Sequence, residues 1–159
     1  QQLKSNPAML QALMQSRDGQ ALMQMLSDCS GAGIEYIFNC GYRTMQEQTD
    51  ILEKRTQEHM KEFDLDFDEA RKKALETVAV PGTSEHQMGL AVDIVGEEAN
   101  AWLGEHCWEY GFILRYPADK QDITGVMYEP WHFRYVGKEA AAYIMENGLC
   151  LEEFLDLYK

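Results

Sequence analysis

Leu90-Ala91-Val92-Asp93-Ile94-Val95 decides how this chain folds. Its residues alternate strictly: Leu90, Val92 and Ile94 fall on one face, and Ala91, Asp93 and Val95 on the other. That is the two-residue repeat of a β-strand. One face is fit for a core. The other carries a carboxylate among apolar neighbours, which is costly to bury unless it is paired or holds a metal. Asp93 therefore fixes both the strand and the place to look for chemistry.

Upstream, Ser84-Glu85-His86-Gln87-Met88-Gly89 is a loop of small and polar residues that Gly89 lets fold close against the strand. Downstream, Trp131 to Val136 reads as a second strand, with Trp131, Phe133 and Tyr135 on one face and His132, Arg134 and Val136 on the other. Pro130 and this alternation argue against a helix there. Ile34 to Cys40 and Phe112 to Tyr116, the latter ending at Pro117, are further strands.

Helical spacing runs through Met9, Leu10, Leu13 and Met14, then through Leu22, Met25 and Leu26, up to Gly31-Ala32-Gly33. Gln1 to Asn6 is polar and expected to fray. Thr44 with Glu47 forms a capping box at the head of a long helix. Asp64 to Asp68 breaks it, and Asp68 is expected to cap a second helix through Val78. Further helices are predicted over Glu97–Tyr110, Lys138–Glu146 and Leu151–Tyr158, with Ala118 to Gly125 a polar loop. This mixed order predicts an α+β fold, a small, mainly antiparallel central sheet flanked by helices with the metal site at the sheet face. One domain is expected over residues 1–159.

A formal charge of −13 and a pI near 4.6 argue against nucleic acid or an anionic membrane surface as partner, because both require a basic face. No apolar run is long enough to span a bilayer. The chain starts at Gln1 rather than Met, as a trimmed or processed form would, so a leader or anchor would lie upstream. Cys29, Cys40, Cys107 and Cys150 contain no Cys-x-x-Cys pair, which argues against a thiolate zinc knuckle. They permit two disulfides in an exported protein, or four free thiols. The methionines sit at helical spacing and read as core filler. The aspartates around Asp66 lack the glycine and distal glutamate of a calcium loop.

His86, Asp93 and His132 together offer two imidazoles and a carboxylate. Glu129, in Glu129-Pro130-Trp131-His132, is left over as a base. Three protein ligands, an open position for water and a nearby base are the minimal kit of a hydrolytic zinc site. Imidazoles with one carboxylate suit zinc better than calcium or magnesium. A buried Asp93 accepting backbone hydrogen bonds beside a surface His86 is the plainer alternative. The absence of a second Glu-x-x-His counts against a di-iron centre. His59 and His106 lie in acidic, polar helical surroundings and read as surface residues.

Ser-x-His-x-x-Gly-x-Ala-x-Asp over Ser84 to Asp93, followed by Glu-Pro-Trp-His-Phe-Arg-Tyr-Val-Gly over Glu129 to Gly137, resembles the D-alanyl-D-alanine carboxypeptidases of the VanY type. The likeness extends to Gly41-Tyr42-Arg43-Thr44 with Gln48 and to Tyr110–Pro117, and covers about Ile34 to Leu155. The resemblance implies one zinc ion held by His86, Asp93 and His132, with Glu129 as catalytic base and Arg43 polarising the scissile carbonyl. It implies that Gln48 and Ser84 help hold the substrate's terminal residue. The implied substrate is a peptidoglycan stem peptide ending in D-Ala-D-Ala, met by a monomer on the cell-wall side of a bacterial membrane and anchored by a segment outside this chain; a cytoplasmic location stays open. Cys40 stands where the family often has serine, and is expected not to touch the chemistry. Related branches cleave L,D bonds, the free dipeptide or an internal wall bond. A zinc-binding module without catalysis is the rival from another class; the presence of Glu129 and Arg43 speaks against it.

Overall fold

The computed structural model describes residues 16–159. The expected helix through Met9–Met14 and the fraying of Gln1–Asn6 lie outside the described residues. Helix α1 spans Arg17–Gly31; Ser16 caps it by accepting from the Gly19 N–H at 3.2 Å, and Leu22, Met25 and Cys29 line its buried stripe. Strand β1 is Ile37–Cys40, shorter than the expected Ile34–Cys40.

Helix α2, Met45–Phe63, opens on the Thr44/Glu47 capping box and closes on Asp64 in the left-handed region at φ 52°. Helix α3 covers Phe67–Ala74. Its cap is Asp66 rather than Asp68, because the Asp66 carboxylate accepts from the Glu69 N–H at 2.9 Å and Asp68 falls inside the first turn. The helix also ends short of Val78, which packs with Leu52 and Ala74 in a small cluster between the two helices.

A 3₁₀ turn, Glu85–Met88, leads into β2, Ala91–Val95. Helix α4 is Glu97–His106, and the rest of the expected helix, Cys107–Tyr110, tightens to 3₁₀ before Gly111. Strand β3 is Phe112–Leu114, and α5, Gln121–Thr124, is a short helix inside the expected polar loop. Strand β4 is His132–Tyr135, one residue shorter at each end than expected. Helices α6, Lys138–Asn147, and α7, Leu151–Asp156, complete the described chain.

The four strands form one antiparallel sheet in the order β1-β2-β4-β3. The fold is α+β with a central antiparallel sheet, as the strand and helix order predicts. Val92, Ile94, Phe112 and Phe133 point to one face and pack against Leu22, Met25, Leu103 and Cys107. On the opposite face Ile113 packs with Ala141 and Ile144 of α6, while Asp93 and His132 stand directly opposite each other across β2 and β4. The alternation of β2 and β4 thus puts the main core on one face and Asp93 with His132 on the other, beside the smaller Ile113 cluster.

Phe38 pairs with Ile94, but Cys40 rather than Asn39 pairs with Asp93. This bulge inserts one residue and turns Cys40 onto the polar face, the re-aiming that bulges produce. All four cysteines are free.

Gly111 holds β3 against the end of β4. Its carbonyl accepts from the N–H groups of Val136 and Gly137, at 2.9 and 3.1 Å. Its φ is +89°, and a Cβ there would stand 2.9 Å from Tyr135 Cε2 and 3.0 Å from the Gly137 and Lys138 backbone. Gly111→Ala is expected to lower stability by roughly 2–4 kcal/mol, summing left-handed strain and overpacking. An unchanged urea midpoint would show that this turn relaxes freely.

Candidate metal centre

The 3₁₀ turn before β2 places His86, and Gly89 at φ 71° closes that turn so the chain can enter the strand. His86 is buried, and its Nδ1 lies 2.8 Å from the Gly41 carbonyl. That contact places the proton on Nδ1 and turns Nε2 toward Asp93 Oδ1, 3.3 Å away. His132 presents Nδ1 to the same Asp93 oxygen at 3.4 Å and to Glu129 Oε2 at 3.3 Å. The two imidazole rings meet edge to face with centroids 4.9 Å apart.

None of the Asp93 contacts has hydrogen-bond geometry, so Asp93 Oδ1 is buried without a hydrogen-bond partner among the described residues. A buried, unpaired carboxylate oxygen facing two imidazole nitrogens is the donor arrangement of a borderline divalent cation. A cation among these three side chains would use the unpaired oxygen and both nitrogen lone pairs. The surroundings favour positive charge. Burial disfavours an imidazolium at His86, but Asp93 and Cys40 outweigh burial and push its pKa up to about 10.

Cys40 belongs to this cluster, contrary to the expectation that it stays clear of the chemistry. Its sulfur and the ligand atoms of His86 and Asp93 all lie within 4.8 Å of one another. The bulge in β1 explains the placement. Burial resists ionisation of the Cys40 thiol, yet His86 and Arg43 together pull its pKa down.

Arg43 leaves the turn after β1. Its Nη1 donates to Gln48 Oε1 at 2.7 Å and its Nη2 to Cys40 Sγ at 3.2 Å. Gln48 is fully buried, and its Nε2 donates to the Ala79 carbonyl at 2.8 Å. Both ends of the Gln48 amide are therefore engaged, the oxygen by Arg43 and the nitrogen by the backbone that anchors it. Ser84 is buried at the head of the 3₁₀ turn. His86, Asp93, His132 and Glu129 thus gather on one face of β2 and β4, with Arg43 beside Cys40, Gln48 behind Arg43, and Ser84 two residues before His86.

Beneath His132 lies a group of charges that sequence reasoning passed over. Glu85 Oε2 sits 3.5 Å from His132 Nε2, while Glu85 Oε1 accepts from Arg115 Nε at 2.7 Å and lies 3.3 Å from Arg134 Nη1. Burial would raise the Glu85 pKa, but His132, Arg115 and Arg134 outweigh it and draw the carboxyl down to about 2. Arg134 was legible, since it shares the strand face of His132. His106 pairs with Glu109 at 2.8 Å and is half-buried, its ring 4.6 Å from that of Trp102. His59 is not a surface residue; it is 9% exposed, set against Phe63 where α2 and α3 pack.

A family model described as VanY, D-alanyl-D-alanine carboxypeptidase, matches residues 11–138. The chain belongs to the VanY family. A VanY-family relative, the D-alanyl-D-alanine carboxypeptidase of Enterococcus faecalis (strain ATCC 700802 / V583), is 48% identical over 145 residues, which cover 86% of this chain and 54% of the relative. The chain spans about half the length of the curated relatives it matches. Two solved structures share the VanY fold closely. A variant of the vancomycin resistance D,D-pentapeptidase VanY from a VanB-type resistance cassette, in complex with Zn(II), superposes with a TM-score of 0.82 at 45% identity, covering 87% of this chain and 82% of that one. VanYB in complex with D-alanine-D-alanine gives 0.84 at 44% identity, covering 90% and 82%. No helix among the described residues is long and apolar enough to cross a membrane.

Proposed function

We propose that this chain is a zinc D,D-carboxypeptidase domain that removes the terminal D-alanine from peptidoglycan stem peptides. The observation that carries this reading is the unpaired, buried Asp93 Oδ1 facing His86 Nε2 and His132 Nδ1, with Glu129 3.3 Å from His132. The names of the relatives support it, and so does the zinc in a neighbouring structure. His86, Asp93 and His132 would hold one zinc ion. When bound, zinc lowers the pKa of a water molecule and polarises the peptide carbonyl.

Glu129 takes the proton from the attacking water and passes it to the leaving amine. Arg43 donates to the carbonyl oxygen as negative charge gathers there. Gln48 acts through Arg43, because its amide oxygen accepts from Arg43 and its amide nitrogen donates to the Ala79 carbonyl. Ser84, next to the metal turn, helps seat the terminal D-alanine. The domain works as a monomer on the cell-wall side of a bacterial membrane, attached through a segment outside this chain.

Zinc-loaded protein should release one alanine from a pentapeptide stem ending in D-Ala-D-Ala, read by mass spectrometry. It should leave the tetrapeptide and the free dipeptide intact. Cleavage of either of those would keep the site and change its specificity. No cleavage of any, with zinc bound, would leave a binding module or an enzyme for a different wall bond. Arg43→Ala is expected to keep zinc and lower kcat by about 10²–10³-fold, the usual loss for one oxyanion donor. Unchanged kinetics would reduce Arg43 to a partner of Gln48 and Cys40.

A further inference from the structure

Three charged side chains, Glu152, Arg115 and Glu85, run from the last helix to His132 at the metal centre. Glu152 in α7 grips Arg115 with both oxygens, at 2.9 Å to Nη1 and 2.6 Å to Nη2. Arg115 in turn donates through Nε to Glu85 Oε1 at 2.7 Å. The other Glu85 oxygen faces His132 Nε2 at 3.5 Å. Arg115 is 8% exposed, so all three of its donor nitrogens are spent on carboxylates inside the protein. A forked arginine between two carboxylates has little rotational freedom.

We propose that Glu85 is a positioning residue for His132, and that Arg115 and Glu152 hold Glu85 in place. This rests on the zinc reading above. His132 has two ring nitrogens, and a ligand must offer a lone pair on the one that faces the metal. Nδ1 faces Asp93 and Glu129; Nε2 faces Glu85. A carboxylate at Nε2 keeps the proton on that nitrogen and leaves the Nδ1 lone pair free. Glu85 Oε2 and His132 Nε2 are both buried without a hydrogen-bond partner, 3.5 Å apart, so each is the acceptor or donor the other lacks.

His86 is oriented differently, by the Gly41 backbone carbonyl at 2.8 Å. The two imidazoles therefore depend on different parts of the molecule. Glu152 lies beyond residue 138, where the match to the family model ends. The clamp reaches the metal centre from a helix outside that span.

The test is zinc affinity measured by competition with a chromophoric chelator. Glu85→Ala is expected to weaken zinc by about 10–100-fold, the usual cost of losing an outer partner of a ligand. Glu85→Gln should recover part of that loss, because its carbonyl still accepts from Nε2–H. Glu152→Gln, far from the metal, should weaken zinc measurably without altering its one-to-one stoichiometry. The second readout is the ¹⁵N chemical shifts of the His132 ring, which report which nitrogen carries the proton. They should show the Nε2–H form in the wild type and a mixture of forms in Glu85→Ala. Wild-type zinc affinity in folded Glu85→Ala would overturn the clamp. If Glu85→Ala does not fold, wild-type affinity in Glu152→Gln would overturn its outer half. A wild type that takes up no zinc would sink the reading of the site instead. The ring shifts alone then decide the clamp, and identical shifts in wild type and variants overturn it.

Discussion

Glu129→Gln is expected to bind zinc as the wild type does and to lose about 10²–10⁴-fold in kcat, the range that a positioned general base supplies. The substitution keeps the size of the side chain and its contact distance to His132 while removing its ability to take a proton. The other carboxylates nearby are poor substitutes. Asp93 faces both imidazoles, and Glu85 is tied to Arg115 and Arg134, which help to draw its carboxyl down to about 2. Metal content and single-turnover kinetics on the same preparation decide the matter. A metal-loaded variant with near-normal turnover would move the base to another residue.

His86→Ala is expected to lose zinc and activity together. One of two imidazoles facing Asp93 Oδ1 disappears, and the affinity loss should exceed the roughly 10–100-fold cost of an outer-partner substitution. Stability should fall as well, because the His86 ring bonds the Gly41 carbonyl at 2.8 Å and so ties the turn after β1 to the turn before β2. Losing that buried bond costs about 1–3 kcal/mol in the metal-free protein. Zinc stoichiometry and the thermal midpoint of the metal-free form separate the two effects. A variant that still holds one zinc tightly would remove His86 from the ligand set.

The strand pattern around Asp93 was readable because alternation is a local property. Leu90 to Val95 and Trp131 to Val136 each carry their own two-residue repeat, which assigns Asp93 and His132 to faces; the register that sets them directly opposite each other comes from the fold. The Thr44/Glu47 box was readable for the same reason. What escaped depends on tertiary placement. The bulge that turns Cys40 toward His86 has no glycine or proline to announce it. His59 looks solvated on a helix of polar residues, and only the packing of α3 buries it. Glu152 is one acid among many near the end of an acidic chain, and nothing local marks it as the partner of Arg115. Asp68 and Asp66 are equally good caps by type; the turn geometry at Asp64 selects Asp66.

The strict alternation of β2 has a consequence for refolding. A slip by one residue against β4 would exchange the faces, driving Asp93 into the packed layer beside Leu103 and presenting Ile94 where the carboxylate belongs. Such a misaligned chain would lose its core and its donor atoms in the same step. A one-residue slip therefore cannot give a species that is well packed yet unable to take up a cation, or the reverse. Recovery of tight zinc uptake after denaturation should therefore rise in step with recovery of core packing, giving a single curve for both.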